Sequence, residues 1–138
     1  MDDYFSKSVE DTENFAAEFS KKLTGNEIIA MYGDLGAGKT SFTRGLARGL
    51  EVEETISSPT FAIVNEYSGI YPLYHFDMYR IENWDDLESI GFFDYINNGV
   101  IIIEWSENIE GALPSEVIKV YIDKTDKENE RIIKIEGM

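Results

Sequence analysis

The sequence predicts an α/β fold, with helices flanking a central sheet that is partly parallel and partly antiparallel. Three observations predict it. The apolar run Ile28-Ile29-Ala30-Met31-Tyr32 leads straight into Gly33-Asp34-Leu35-Gly36-Ala37-Gly38-Lys39-Thr40, which fits the phosphate-loop pattern G-x-x-x-x-G-K-[ST] between a strand and a helix. Further apolar runs separated by turn signals follow, the most hydrophobic being Val100-Ile101-Ile102-Ile103. The last two such runs alternate in the manner of a hairpin.

In chain order, Ser8-Val9-Glu10-Asp11 resembles a capping box, and Phe15, Ala16, Phe19 and Leu23 follow at helical spacing, so a first helix ends before Gly25. Residues 27–32 read as a buried strand and 39–49 as the helix leaving the glycine-rich loop, with Phe42, Leu46 and Leu50 facing inward. The stretch from Glu51 to Pro59 is a polar connection. Phe61 to Tyr67 and Tyr71 to Phe76 read as strands joined at Ser68-Gly69, a second hairpin. Trp84 to Ile90 and Phe92 to Ile96 read as short helices split near Gly91, and Asn97-Asn98-Gly99 turns the chain into the Val100 strand. Val117 to Ile122 and Arg131 to Ile135 flank a charged turn from Asp123 to Glu130. No repeat or linker divides the 138 residues, so one domain over 1–138 is expected.

Composition narrows the setting. The chain is 43% hydrophobic, enough for its own core, and has no cysteine, which removes disulfides and thiolate metal sites. No run reaches the ~18 apolar residues of a membrane span, and Met1-Asp2-Asp3 lacks the basic start of a signal peptide, so a cytoplasmic protein is expected. The formal net charge of −15 disfavours broad contact with DNA or RNA. Solubility, a salt-adapted source and an acidic face for a basic partner all account for that charge.

The chemistry concentrates at the glycine-rich loop. Gly33, Gly36 and Gly38 permit positive φ, so successive N–H groups can point into one concavity that matches phosphate oxygens. The helix start at Lys39 adds unpaired donors and the positive end of its dipole. Lys39 is a mobile cation for terminal phosphates, and the Thr40 hydroxyl is a hard oxygen suited to Mg²⁺. An acidic residue at the end of a neighbouring strand must complete such a site. Two qualify: Asp77 after Leu73-Tyr74-His75-Phe76, and Glu104 after Val100 to Ile103. Each could equally be a surface acid past a strand.

Four other features carry less specific signals. His75, the single histidine, reads as a packed, hydrogen-bonding residue ahead of a general base. Tyr79-Arg80 falls in the same corner, where Arg80 could pair with Asp77 rather than touch phosphate. Trp84 and Trp105 read as core or interface residues. Ser58-Pro59-Thr60 sits where a nucleotide-sensing loop would lie, and is also what an ordinary strand-initiating loop looks like. The guanine-reading N-K-x-D signature is absent, which favours adenine.

The blocks G-D-L-G-A-G-K-T (Gly33 to Thr40), S-P-T-F (Ser58 to Phe61), H-F-D-M-Y-R (His75 to Arg80) and E-W (Glu104-Trp105) together resemble the TsaE family, formerly called YjeE, in order, spacing and chain length. The resemblance runs from about Ser8 to the final hairpin. It implies a P-loop NTPase-like fold and a bacterial ATPase needed to form N6-threonylcarbamoyladenosine at position 37 of tRNAs reading codons that begin with A. It also implies partners: the transferase pair TsaD and TsaB, which activates weak ATP hydrolysis and is reset by it between turnovers, with tRNA touched only indirectly.

Residue by residue, the resemblance implies ATP phosphates lined by Gly33, Gly36, Ala37, Gly38, Lys39, Thr40 and Ser41. Lys39 neutralises charge, while Thr40 and Glu104 ligate Mg²⁺. Asp77 holds a metal-associated water or organises the nucleophile, Thr60 lies in a switch-like segment, and Ser8 to Thr12 lie near the adenine. Lys39, Asp77, Glu104 and Thr60 are thus the candidate catalytic residues. The expected mechanism is in-line attack of water on the γ-phosphate without a covalent intermediate. No arginine finger stands out, so a partner is expected to complete the site or to order the loop at 51–60. Two other chemistries share the loop: a small-molecule kinase, and an adaptor that binds nucleotide without hydrolysing it.

Overall fold

A computed structural model describes residues 3–33, 38–56, 64–78 and 81–137. Seven strands form one sheet: β1 (Tyr4–Ser6), β2 (Ile28–Tyr32), β3 (Val64–Tyr67), β4 (Leu73–Asp77), β5 (Val100–Glu104), β6 (Ile118–Lys124) and β7 (Arg131–Glu136). Their order is β1-β7-β6-β2-β5-β4-β3. The strands β6, β2, β5 and β4 run parallel, and the two ends of the sheet are antiparallel. The mixed sheet and both expected hairpins are therefore present.

Helices cover both faces. All five positions of β2 are buried, as its unbroken apolar sequence demands for a strand covered on both sides. Ile29 and Met31 pack with α1 (Val9–Ser20) and α2 (Lys39–Gly49). Ile28, Ala30 and Tyr32 face the opposite layer, built from α3 (Trp84–Ser89), α4 (Phe92–Tyr95) and a 3₁₀ segment, Ser106–Ala112. Ile101, Ile102 and Ile103 of β5 are fully buried. Burial contributes about 2 kcal/mol for each, which anchors the strand that ends in Glu104.

The α1–α2 contact is very close. A Cβ on Gly45 would fall 2.1 Å from the Glu13 carbonyl oxygen, and one on Gly49 would fall 2.7 Å from that of Ala17. The two glycines of α2 therefore let its backbone lie directly against α1 and bring Phe42 into the core with Phe19, their rings 6.0 Å apart. No helix among the described residues is long and apolar enough to cross a membrane.

Several boundaries differ from the sequence expectation. Helix α1 closes at Ser20, where the Ser20 hydroxyl donates to the Ala17 carbonyl at 2.6 Å and the chain turns through Lys21 and Lys22. At its start the Ser8 hydroxyl accepts from the Asp11 N–H at 3.0 Å, but Asp11 reaches back to the N–H of Lys7 rather than of Ser8. Strand β6 extends two residues into the expected turn, to Lys124. The β1 strand and the 3₁₀ segment have no counterpart in the sequence reading.

Candidate functional site

The three strands β2, β4 and β5 are parallel neighbours, so their C-terminal ends open on one edge of the sheet. That is where a doubly covered α/β sheet leaves its crevice. Gly33 follows β2 with φ of +149°, and Gly38 caps α2 with φ of +107°. Both angles lie where side-chain-bearing residues are strained. Gly38 offers no side-chain cap, so among the described residues no capping side chain occupies the first N–H groups of α2, which can serve an anion.

Lys39 opens this helix with only 7% exposure. Its ammonium lies 5.0 Å from the centre of the Trp105 ring, and among the described residues it makes no ion pair. A cation parked on an aromatic face is held by roughly 0.5–2 kcal/mol, weaker than a buried carboxylate pair, and so can be transferred to phosphate. Thr40 is half-buried and Ser41 is 8% exposed. Gly36 and Ala37 lie outside the described residues, as do Ser58 to Phe61, Thr60 included, and Tyr79-Arg80.

The two candidate acids stand side by side in the sheet. Asp77 and Glu104 are direct partners across the β4–β5 ladder, one half-buried and the other 8% exposed. Because Trp105 follows Glu104 and turns back with φ of +61°, the ring that holds Lys39 ties the start of α2 to the end of β5. His75 is fully buried, and its Nε2 lies 2.8 Å from Glu104 Oε2. The second carboxylate oxygen of Glu104 has no hydrogen-bond partner among the described residues.

Such a donor set fits Mg²⁺. Thr40 and Glu104 offer hard oxygens, and Mg²⁺ takes one or two protein oxygens plus water and phosphate rather than a full protein cage. The start of the first helix is different. Ser8 is spent on capping α1, and Thr12 is buried with its hydroxyl 2.7 Å from that of Ser6.

Two relationships were not read from the sequence. The Lys39–Trp105 contact depends on the positive φ at Trp105, which no local pattern signals, although Trp105 stands beside Glu104 in the E-W block. The His75–Glu104 bond depends on strand register. The alternation His75, Asp77 along β4 puts both side chains on one face of the sheet and was the available clue. Trp84, read as core or interface, is 52% exposed.

Comparison with known proteins places this geometry. Residues 6–133 match the family model described as threonylcarbamoyl adenosine biosynthesis protein TsaE. The Bacillus subtilis tRNA threonylcarbamoyladenosine biosynthesis protein TsaE is 42% identical over 108 residues, covering 77% of this chain and 67% of that protein. Its Rickettsia prowazekii counterpart is 38% identical over 130 residues, 93% of this chain and 90% of that protein. The crystal structure of Bacillus subtilis YdiB superposes with a TM-score of 0.76 at 33% identity, covering 96% of this chain and 82% of that one. The glycine-flanked helix start, the carboxylates on the adjoining strand ends and these matches agree: the chain belongs to the TsaE family.

Proposed function

We propose that this chain is a P-loop ATPase that acts in forming N6-threonylcarbamoyladenosine on tRNA, and that it binds the TsaD–TsaB pair, which stimulates its hydrolysis of ATP and is reset by it. The observation that carries the ATPase reading is the register pairing of Asp77 with Glu104 at the sheet edge where β2 leads towards α2, with Lys39 drawn onto Trp105, the residue after Glu104. A site built only to hold phosphate needs the helix start and the lysine. Two carboxylates beside it serve metal and water, the further needs of phosphoryl transfer.

In this reading the first N–H groups of α2 and the Lys39 ammonium bind the β- and γ-phosphates. Thr40 and Glu104 would hold Mg²⁺, which when bound neutralises phosphate charge. Asp77, one strand over, orients the attacking water and accepts its proton. His75 holds Glu104 in place from below. The γ-phosphoryl group passes to water, with charge spread over Lys39 and backbone amides and no covalent intermediate. Thr60 in the 57–63 segment is the proposed γ-phosphate sensor.

Phosphate release from Mg-ATP, measured with and without purified TsaD–TsaB, tests the reading. We expect slow release alone and faster release with the pair; equal rates would remove partner activation. ADP formation that needs an added small metabolite would instead mark a kinase. Loss of the modified adenosine from tRNA of depleted cells tests the cellular role.

A further inference from the structure

From Ile81 to Ile118 the sequence holds nine Asp or Glu and no Lys, Arg or His. The fold gathers much of this stretch into the layer that carries α3, α4 and the 3₁₀ segment. On that layer Trp84 is 52% exposed, although its ring lies 5.2 Å from Phe93 and its Nε1–H donates to Glu88 at 3.0 Å. The indole is therefore held in one orientation while half of it faces solvent. Beside it runs an open groove of about 320 Å³ between α3 and the 3₁₀ segment, lined by Trp84, Leu87, Ile109 and Ala112. Gly111, exposed in the lining, has nothing within 4 Å of where a Cβ would stand. Glu88, which accepts from the indole, is exposed, and so are Glu82 and Asp85 on either side of Trp84 along the chain.

We propose that this groove docks a protein segment bearing Lys or Arg residues on either side of one apolar side chain. The inference deepens the proposed function and rests on it: the segment belongs to the protein pair that stimulates hydrolysis. A fixed aromatic ring beside an apolar slot is the usual anchor of an interface, and exposed like charges on the same short helix and its approach select the opposite charge in the partner. Nucleic acid and anionic membrane are repelled by the same carboxylates. A second copy of this chain is disfavoured for the same reason, since a two-fold contact would bring Glu82, Asp85 and Glu88 against themselves. The surface is also close to the chemistry along the chain. Trp84 stands seven positions after Asp77, and between them Met78 and Ile81 are buried, with the Met78 N–H donating to the Glu104 carbonyl at 3.0 Å.

Titration of TsaD–TsaB into the full chain, read as stimulated phosphate release, tests the proposal with two variants, Trp84→Ala and the double change Glu82→Lys with Asp85→Lys. Both should raise the half-activating concentration about ten-fold or more, leaving the maximal stimulated rate and nucleotide affinity as in the wild type. The charge variant should also lose most of the weakening that added salt produces in the wild type. Wild-type stimulation with unchanged titrations for both variants overturns the docking surface alone. Absence of any binding or stimulation of the wild type removes the proposed partner and this inference with it. A wild-type dimer that Trp84→Ala dissolves would assign the groove to self-association and likewise overturn it.

Discussion

His75 Nε2 and Glu104 Oε2 lie 2.8 Å apart across two parallel strands, both side chains almost sealed from solvent. With Glu104 ionised, the proton of this bond sits on Nε2, and the imidazole is a donor that fixes one carboxylate oxygen. Nδ1 is buried without a hydrogen-bond partner among the described residues, so nothing else in that shell competes for the ring's orientation. His75 thus acts on the site through Glu104 and is a positioning residue. Outer residues of this type commonly matter by 10–100-fold in metal affinity.

Replacing His75 by Ala should therefore raise the Mg²⁺ concentration needed for half-maximal nucleotide binding about ten-fold. His75→Gln, which keeps an N–H donor, should recover most of that loss. Equal Mg²⁺ titrations for the Ala and Gln variants would reduce His75 to a packing role.

Lys39 rests on Trp105 at 5.0 Å, a contact that must be given up when the ammonium turns to phosphate. In a Trp84→Phe background, Trp105 is the one indole left, and Mg-ATP should change its emission. Lys39→Ala should abolish that change and weaken ATP binding by roughly 10–100-fold, the worth of one charge-assisted contact. An undiminished fluorescence response in Lys39→Ala would separate the ring from the cation.

Gly45 offers a stability test in which two effects oppose. Alanine is the better helix former by about 1 kcal/mol, so on propensity alone Gly45→Ala stabilises α2. Against this, its methyl group would stand 2.1 Å from the Glu13 carbonyl oxygen, with more of the Glu13 backbone within 3 Å. Backbone cannot step aside as a side chain can, and forced overpacking costs about 1–3 kcal/mol. Steric cost should win: denaturant midpoints are expected to fall, and a rise would mean that α1 and α2 separate easily.

How much of this was legible before the fold is best seen strand by strand. The runs Ile28 to Tyr32 and Val100 to Ile103 announce themselves because strands covered on both faces must be apolar throughout. The phosphate loop is equally plain, since its glycines answer a backbone requirement. β1 is not legible: it is three residues long and pairs with β7 from the far end of the chain, Tyr4 opposite Ile133. The 3₁₀ segment lacks an apolar period. Asp77 and Glu104 were each readable as strand-end acids, but their standing side by side, and the bond from His75, follow from the β4–β5 register. Register belongs to the sheet rather than to either strand.

Glu27 gives a pH test remote from the nucleotide site, at the opposite end of β2. Burial pushes its carboxyl upward, but the N–H groups of Thr24 and Gly25 and the Thr24 hydroxyl donate to it, and together they hold it below its ordinary value of 4.5. The Asn26 N–H adds a fourth donor at 3.1 Å. A depressed carboxyl stabilises the fold in full above the unfolded value, and the contribution fades as pH falls through the folded one. Glu27→Gln should therefore lower stability at pH 7, by about 1 kcal/mol once partial exposure is discounted. The gap between wild type and variant should start to close once the pH drops below about 4.5 and should vanish at stronger acidity. Denaturant unfolding at stepwise pH measures it; a gap that is constant from neutral to strong acid would show that the ionised carboxylate contributes nothing to the turn.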